Sequence, residues 1–92
     1  MRKIEEKMCR MVMLRRNWQQ GNTRVSCIGD QVLVYLFGNL IYCEDTRTCM
    51  KLYSTAGWNT VTTRSRLNAL GCGCHMMRGV LYRDGREWTS DW

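Results

Sequence analysis

The sequence predicts a small α+β fold, in which an antiparallel β-sheet meander of about five or six strands follows an N-terminal amphipathic helix. A second, short helix near residues 62–70 is expected to pack on the sheet. Three observations support this fold class. Apolar residues recur at helical spacing near the N-terminus, short apolar segments alternate with turn signals over residues 23–54, and a hydroxyl-rich segment leads into leucines followed by a glycine.

The length of 92 residues is typical of a single domain. We expect one domain over residues 1–92, with the N-terminal helix at 3–18 and the sheet and helix core at 22–89. The longest apolar run, residues 32–37, is much shorter than the roughly 20 residues of a membrane span. The charged N-terminus lacks the pattern of a secretory signal. These features predict a cytoplasmic protein without membrane contact.

The chain is basic, since fourteen basic and eight acidic side chains give it a formal net charge of +6. Such a charge favours acidic partners, among them nucleic acids, nucleotides and acidic protein surfaces. The alternative is that the charge serves only solubility.

Six cysteines are many for this length, but without a secretory signal we expect reduced thiols. A Cys43–Cys49 disulfide would need oxidising surroundings. The run Cys72-x-Cys74-His75 is an alternative zinc site. Zinc sites usually take two ligands separated by about two to four residues from each of two chain segments. The one-residue spacing of Cys72 and Cys74 and the five-residue spacing of Cys43 and Cys49 both fit that pattern poorly. No cofactor is expected.

The N-terminal helix is predicted from four apolar residues at spacings of four, three and seven, namely Ile4, Met8, Met11 and Trp18. The alternative is a shorter helix followed by a strand over the apolar residues 11–14. Residues 19–22 read as a linker or turn.

Strands are predicted at residues 23–28, 31–37, 40–43 and 49–54, with turn signals at 29–30 and 38–39. The segment 31–37 has apolar residues on both faces and is expected to be a central strand. Further strands are predicted after residue 75, joined by a hairpin turn at Asp84 and Gly85.

The segment 56–71 contains the second helix and the features that delimit it. In order, these are Trp58 packed beneath the helix, an N-cap at Thr62 or Thr63, Leu67 and Leu70 facing inward, and Gly71 as the left-handed residue that ends it.

Three motifs resemble the pattern of a group of small proteins encoded in bacteriophage genomes. They are GNTxV at residues 21–25, LFGNxI at 36–41 and AGWxTxTTxSRLNA at 56–69. The likeness spans residues 21–70 and continues loosely into the terminal hairpin. It implies a phage origin and a small α+β fold. It transfers no catalytic or binding residue, because the group has no assigned activity.

The start of the second helix is the first candidate site. The first amides of a helix are unpaired and lie at the positive end of its dipole, so they can hold a phosphate of a nucleic acid or nucleotide. The candidate residues for contact with a phosphate or with a partner protein are Thr60, Thr62, Thr63, Arg64 and Arg66. The two arginines lie about 200° apart around a helix, so they are not expected to act as a pair. The alternative is an ordinary helix cap with solvated arginines.

The second candidate is a basic, aromatic sheet face that stacks bases. It would combine Trp58, Tyr53, Tyr42 and Tyr35 with Lys51, Arg24 and Arg47. The alternative is an aromatic core, which a small domain with one phenylalanine needs.

No motif identifies a reaction. His75 is the only histidine, and no nucleophile motif or glycine-rich phosphate loop accompanies it. We therefore expect no enzyme, but a phage accessory protein that binds a host protein or defence complex without catalysis, for example as an anti-CRISPR inhibitor in the host cytoplasm. The alternative is binding of nucleic acid or nucleotide at residues 60–66. A homodimer through an exposed strand edge is a further alternative.

Overall fold

A computed structural model describes residues 2–92 and confirms the predicted α+β class. Within these residues, two helices and eight strands form two antiparallel sheets, one of five strands and one of three. The helices are α1 (Lys3–Leu14) and α2 (Val61–Ala69). The strands are β1 (Trp18–Gln20), β2 (Thr23–Ile28), β3 (Gln31–Leu36), β4 (Asn39–Asp45), β5 (Met50–Tyr53), β6 (Cys74–Met77), β7 (Val80–Arg83) and β8 (Arg86–Glu87).

The larger sheet is the predicted meander, with strand order β1-β2-β3-β4-β5. Its central strand, β3, pairs with β2 on one side and β4 on the other, as the apolar pattern of this segment predicts. The register shifts between Val34 and Tyr35, so that Ile41 and Tyr42 are both buried. This irregularity lies close to the β3–β4 turn.

Both helices pack on the same face of this sheet. Met8 of α1 and Leu67 of α2 belong to one buried cluster with Val25 of β2 and Val34 of β3. These two valines are cross-strand partners. The other face of the sheet, which carries Arg24 among others, has exposed or half-buried side chains.

Helix α1 is amphipathic as predicted, but the predicted end at residue 18 is wrong. The helix ends at Leu14, because Arg15 adopts a left-handed conformation with φ 55°. Trp18–Gln20 instead forms strand β1, in which Trp18 pairs with Val25 and is half-buried against the core. The alternative of a strand over residues 11–14 is also wrong, since these residues are helical.

Helix α2 begins one residue earlier than predicted, and its N-cap is Thr60 rather than Thr62 or Thr63. Thr60 is extended, and its hydroxyl oxygen accepts a hydrogen bond from the Thr63 amide at 3.1 Å. Leu67 is fully buried and Leu70 partly so. Gly71 has φ 97° after the last helical turn, which confirms its predicted role.

The predicted C-terminal strands form a separate sheet, with strand order β6-β7-β8. The strand that the sequence did not predict is β1. The predicted hairpin turn at Asp84 and Gly85 joins β7 to β8. Asp91 in the tail joins the two sheets. The Tyr53 amide of β5 donates to Asp91 Oδ2, and the Asp91 amide donates to the Tyr53 carbonyl, both at 2.9 Å. Arg83 Nη1 of β7 lies 3.1 Å from the same Asp91 Oδ2. No helix within residues 2–92 is long and apolar enough to cross a membrane.

A candidate partner-binding pocket beside the second helix

An open cavity of about 380 Å³ lies between the β3–β4 hairpin and the segment that leads into α2. Its lining residues are Leu36, Phe37, Asn39, Ile41, Thr55, Trp58, Thr60 and Thr63. The lining is dominated by apolar groups and includes no charged side chain. Two of the motifs that resemble phage proteins, at residues 36–41 and 56–69, therefore meet at one place.

Two aromatic side chains stand exposed at this cavity. Phe37 is 71% exposed and Trp58 is 61% exposed, although both are large apolar residues. The prediction that Trp58 packs beneath α2 is therefore wrong. Exposed aromatics beside an apolar cavity are typical of surfaces that bind another molecule.

The backbone at Phe37 is unusual for a bulky residue. Phe37 and Gly38 form a two-residue turn between Leu36 and Asn39, with φ values of 51° and 78°. Such turns favour asparagine or aspartate followed by glycine, because both positions are left-handed. A non-glycine residue in this region costs about 1–3 kcal/mol, and this kind of strain is concentrated at functional sites. Because Phe37 belongs to this turn, the strand predicted over residues 31–37 ends at Leu36.

The backbone before Trp58 is also held in a specific shape. Ala56 and Gly57 have φ values of 52° and 82°, and the Trp58 amide donates to the Thr55 carbonyl at 2.8 Å. The Ala56 amide donates to Ser54 Oγ at 2.9 Å. These hydrogen bonds hold the turn that places the Trp58 indole at the cavity.

The threonine hydroxyls at the base of the cavity bond to each other. Thr60 Oγ1 and Thr63 Oγ1 are 2.9 Å apart, and Thr60 Oγ1 also caps α2. Thr62, one of the predicted phosphate contacts, is half-exposed and is not among the lining residues. The cavity therefore suits an apolar group better than an anion.

Arg66, a second predicted phosphate contact, is buried in an internal ion pair. Its Nη1 lies 2.7 Å from Glu5 Oε2, and both side chains are almost completely buried. Its Nε also donates to Thr23 Oγ1 at 3.1 Å. This guanidinium joins α2 to α1 and β2, so it has no donor directed at an external ligand.

The electrostatics of this junction favour the charged pair. Burial acts to raise the pKa of Glu5, but hydrogen bonds from Ser65, Arg66 and the Arg2 amide outweigh it and hold the pKa below its ordinary value. The carboxylate is therefore ionised in the folded protein at neutral pH, and it compensates the buried charge of Arg66.

Arg64 is held apart from Arg66, as the helical spacing predicts. Its Nη1 donates to the side-chain and main-chain oxygens of Asn59, at 2.7 Å and 3.2 Å. Arg64 is half-exposed at the start of α2 and does not line the cavity.

The predicted basic, aromatic sheet face is not assembled as one surface. The Arg24 guanidinium lies 4.4 Å above the Tyr35 ring on the face away from the helices. Lys51 lies across from Glu44 in the β4–β5 register, on the opposite, helix-packed face. Arg47 is paired with Asp30, at 3.2 Å between Nε and Oδ2.

The remaining two tyrosines of that face lie in the core. Tyr42 and Tyr53 are buried, and their ring centroids are 5.3 Å apart. The alternative of an aromatic core is therefore confirmed for Tyr42 and Tyr53, whereas Tyr35 lies outside the core.

The cysteine-rich run does not form a recognisable metal centre. Within residues 2–92, no group of three or more His, Cys, Asp or Glu side chains is arranged to hold a metal ion. Cys72 and Cys74 are buried, whereas His75 is exposed and stacks on Tyr82, with ring centroids 5.8 Å apart. Burial raises the pKa of Cys72 to about 12, and the neighbouring Cys74 adds to the rise, so this thiol is protonated at neutral pH. All six cysteines lie within the described residues and are free thiols, Cys43 and Cys49 included.

A family model described as Kyanoviridae Gp96 protein matches residues 1–91 of the chain. No curated protein and no solved structure matches it.

Proposed function

We propose that this chain, which belongs to the Kyanoviridae Gp96 protein family of bacteriophages, is a small accessory protein that binds a protein of the infected host without catalysis. The bound protein is part of a host defence system, such as a CRISPR complex, which the phage protein inhibits in the host cytoplasm. The contact is made through the cavity between Phe37 and Trp58.

The observation that carries this proposal is the exposure of Phe37 and Trp58 at an apolar cavity. Aromatic residues near a desolvated pocket supply much of the affinity in protein interfaces. The left-handed backbone of Phe37 adds support, because it places a phenylalanine where the turn alone would favour asparagine.

A protein partner is favoured over a nucleic acid by the placement of the cations. Nucleic-acid binding depends on several cations that neutralise phosphates together. Here Arg66 is buried with Glu5, and Lys51 and Arg24 lie on opposite faces of the sheet. The cavity itself is lined without charge.

The test compares capture of host proteins by three forms of the full chain from lysates of infected cells. The forms are the wild type, Trp58→Ala, and Trp92→Ala as a matched control, because Trp92 is also exposed but lies outside the cavity. We expect one host protein to be captured by the wild type and by Trp92→Ala, and to be lost with Trp58→Ala.

A parallel assay measures binding of single-stranded and double-stranded nucleic acid by the same forms at about 50 mM salt and at higher salt. Tight, salt-sensitive nucleic-acid binding that Trp58→Ala leaves unchanged would contradict the proposal. Equal capture of the same host proteins by all three forms would also contradict it.

A further inference from the structure

We propose that the partner segment that enters the Phe37–Trp58 cavity continues around the β3–β4 turn and places an acidic side chain on Arg24. This inference rests on the proposed function and specifies its partner: a protein segment with an apolar anchor and a nearby aspartate or glutamate.

Phe37 connects two adjacent concave surfaces. One is the cavity shared with Trp58, and the other is a depression of about 310 Å³ on the helix-free face of the sheet. Arg24, Tyr35, Phe37 and Gly38 are among the residues that line this depression. A chain that buries an apolar side chain against one side of Phe37 therefore meets Arg24 on the other side.

Arg24 is suited to hold a carboxylate. Its guanidinium stacks 4.4 Å above the Tyr35 ring, which fixes its plane and leaves its N–H edge available. Among residues 2–92, no acidic side chain forms a salt bridge with Arg24. The net charge of +6 on the whole chain further favours an acidic partner.

The spacing of the two contacts follows from the strand register. Arg24 is the cross-strand partner of Tyr35, which lies two residues before Phe37. Two residues of a strand extend about 7 Å, so an extended ligand spans this distance with two or three of its own residues. The acidic residue is thus expected about two to four positions from the apolar anchor. Arg24 is the one cation among the residues that line this depression, and a single cation does not make a phosphate-binding surface. This pattern therefore describes a peptide rather than a nucleic acid.

A library of random displayed peptides supplies the probe, because it requires no knowledge of the natural partner. The library is selected on the immobilised full chain and depleted on Trp58→Ala. We expect the enriched peptides to contain an aromatic or large aliphatic residue with an aspartate or glutamate about two to four positions away. An enriched peptide is then measured against Arg24→Gln, Arg24→Glu and the control Arg10→Glu, which alters an exposed residue of α1.

Arg24→Gln should weaken binding of this peptide about three- to fivefold, and Arg24→Glu should weaken it more, whereas Arg10→Glu should leave it within about twofold. Apolar peptides without acidic residues, or equal losses for Arg24→Glu and Arg10→Glu, would overturn this inference while leaving the cavity as the binding site. Displacement of the peptide by a short single-stranded oligonucleotide would also overturn it. Failure to enrich any peptide that depends on Trp58 would count against both the inference and the proposed function.

Discussion

Two clusters beside α2 reverse the usual distribution of polar and apolar groups. In the first, the charged Arg66 and Glu5 are buried and bonded to each other. In the second, the apolar Phe37 and Trp58 are exposed at a cavity. The first cluster is satisfied within the chain and holds the helices on the sheet, whereas the second leaves apolar surface exposed. The comparison separates charges that compensate each other inside the fold from aromatic surface that the fold does not bury.

Two arginines that are close in sequence differ in burial and in their hydrogen-bond partners. The sequence places both Arg64 and Arg66 near the hydroxyl-rich helix start, yet Arg64 bonds to Asn59 near the surface, while Arg66 lies in the last turn of α2 and is buried with Glu5. A cation near a helix start is therefore a guide to ligand binding only after its burial and partners are known.

The largest expected effect is on the buried ion pair. Glu5→Gln leaves the Arg66 charge buried without a counter-ion, and it should lower the free energy of unfolding by about 3–5 kcal/mol. Urea denaturation followed by circular dichroism measures this change.

The control for this prediction is the double variant Glu5→Leu/Arg66→Met, which removes both charges. It should recover much of the stability, since an apolar replacement of both partners leaves no uncompensated charge. A loss below about 1 kcal/mol for Glu5→Gln would show that the junction is not a structural ion pair.

The pH dependence should follow the lowered pKa of Glu5. Because this pKa is lower in the folded chain than in the unfolded one, the charged carboxylate stabilises the fold above the unfolded pKa of about 4.3. That contribution is lost as the pH falls through the folded pKa. The difference in unfolding free energy between wild type and Glu5→Gln should therefore be constant near neutral pH and shrink in acid. A difference that grows in acid would contradict the assignment.

Smaller effects on stability are expected for side chains outside the core. Trp58→Ala and Arg64→Ala should each change the free energy of unfolding by no more than about 0.5 kcal/mol, because both side chains lie largely outside the core. Thermal unfolding of the two variants checks this expectation. A loss of several kcal/mol for Trp58→Ala would assign the indole to packing rather than to recognition.

The smallest perturbation is chemical labelling of thiols, which tests burial without a substitution. Cys49 is exposed, whereas Cys72 is buried and its pKa is raised to about 12. At mildly alkaline pH, a thiol reagent should modify Cys49 in the folded protein and Cys72 only after unfolding. Mass spectrometry of digested samples locates the modified residues. Equal labelling of both cysteines in the folded state would contradict the buried position of Cys72.

Much of the fold could be predicted from local patterns. Alternation of apolar residues and the turn signal at residues 29–30 predicted the course of the meander, and Leu67 with Gly71 predicted α2. The turn predicted at residues 38–39 lies one position earlier, at Phe37 and Gly38, because Asn39 pairs with Leu36. The end of α1 could not be predicted in this way, because Trp18 fits the apolar spacing of the helix and also packs well from a strand. The choice depends on pairing with Val25, which is a tertiary contact.

The candidate site was less accessible to sequence reasoning. The sequence predicts Thr60 and Thr63 as site residues, and they line the cavity, but it predicts a strand at Phe37. The available signal was a phenylalanine directly before Gly38 at a turn, where a smaller polar residue is usual. The burial of Arg66 could not be predicted from local sequence patterns, because its partner Glu5 is separated from it by 61 positions along the chain.

The most direct test of the central claim is the variant Phe37→Asn, measured for both stability and binding. Asparagine is favoured at this left-handed turn position, so we predict an increase of about 1 kcal/mol in the free energy of unfolding together with loss of the captured host protein. Arg78→Asn is the matched control, because Arg78 has φ 52° and precedes Gly79 in another hairpin turn. It should gain stability and retain binding. Retained binding by a stabilised Phe37→Asn variant would contradict the claim that the exposed aromatics form the recognition site.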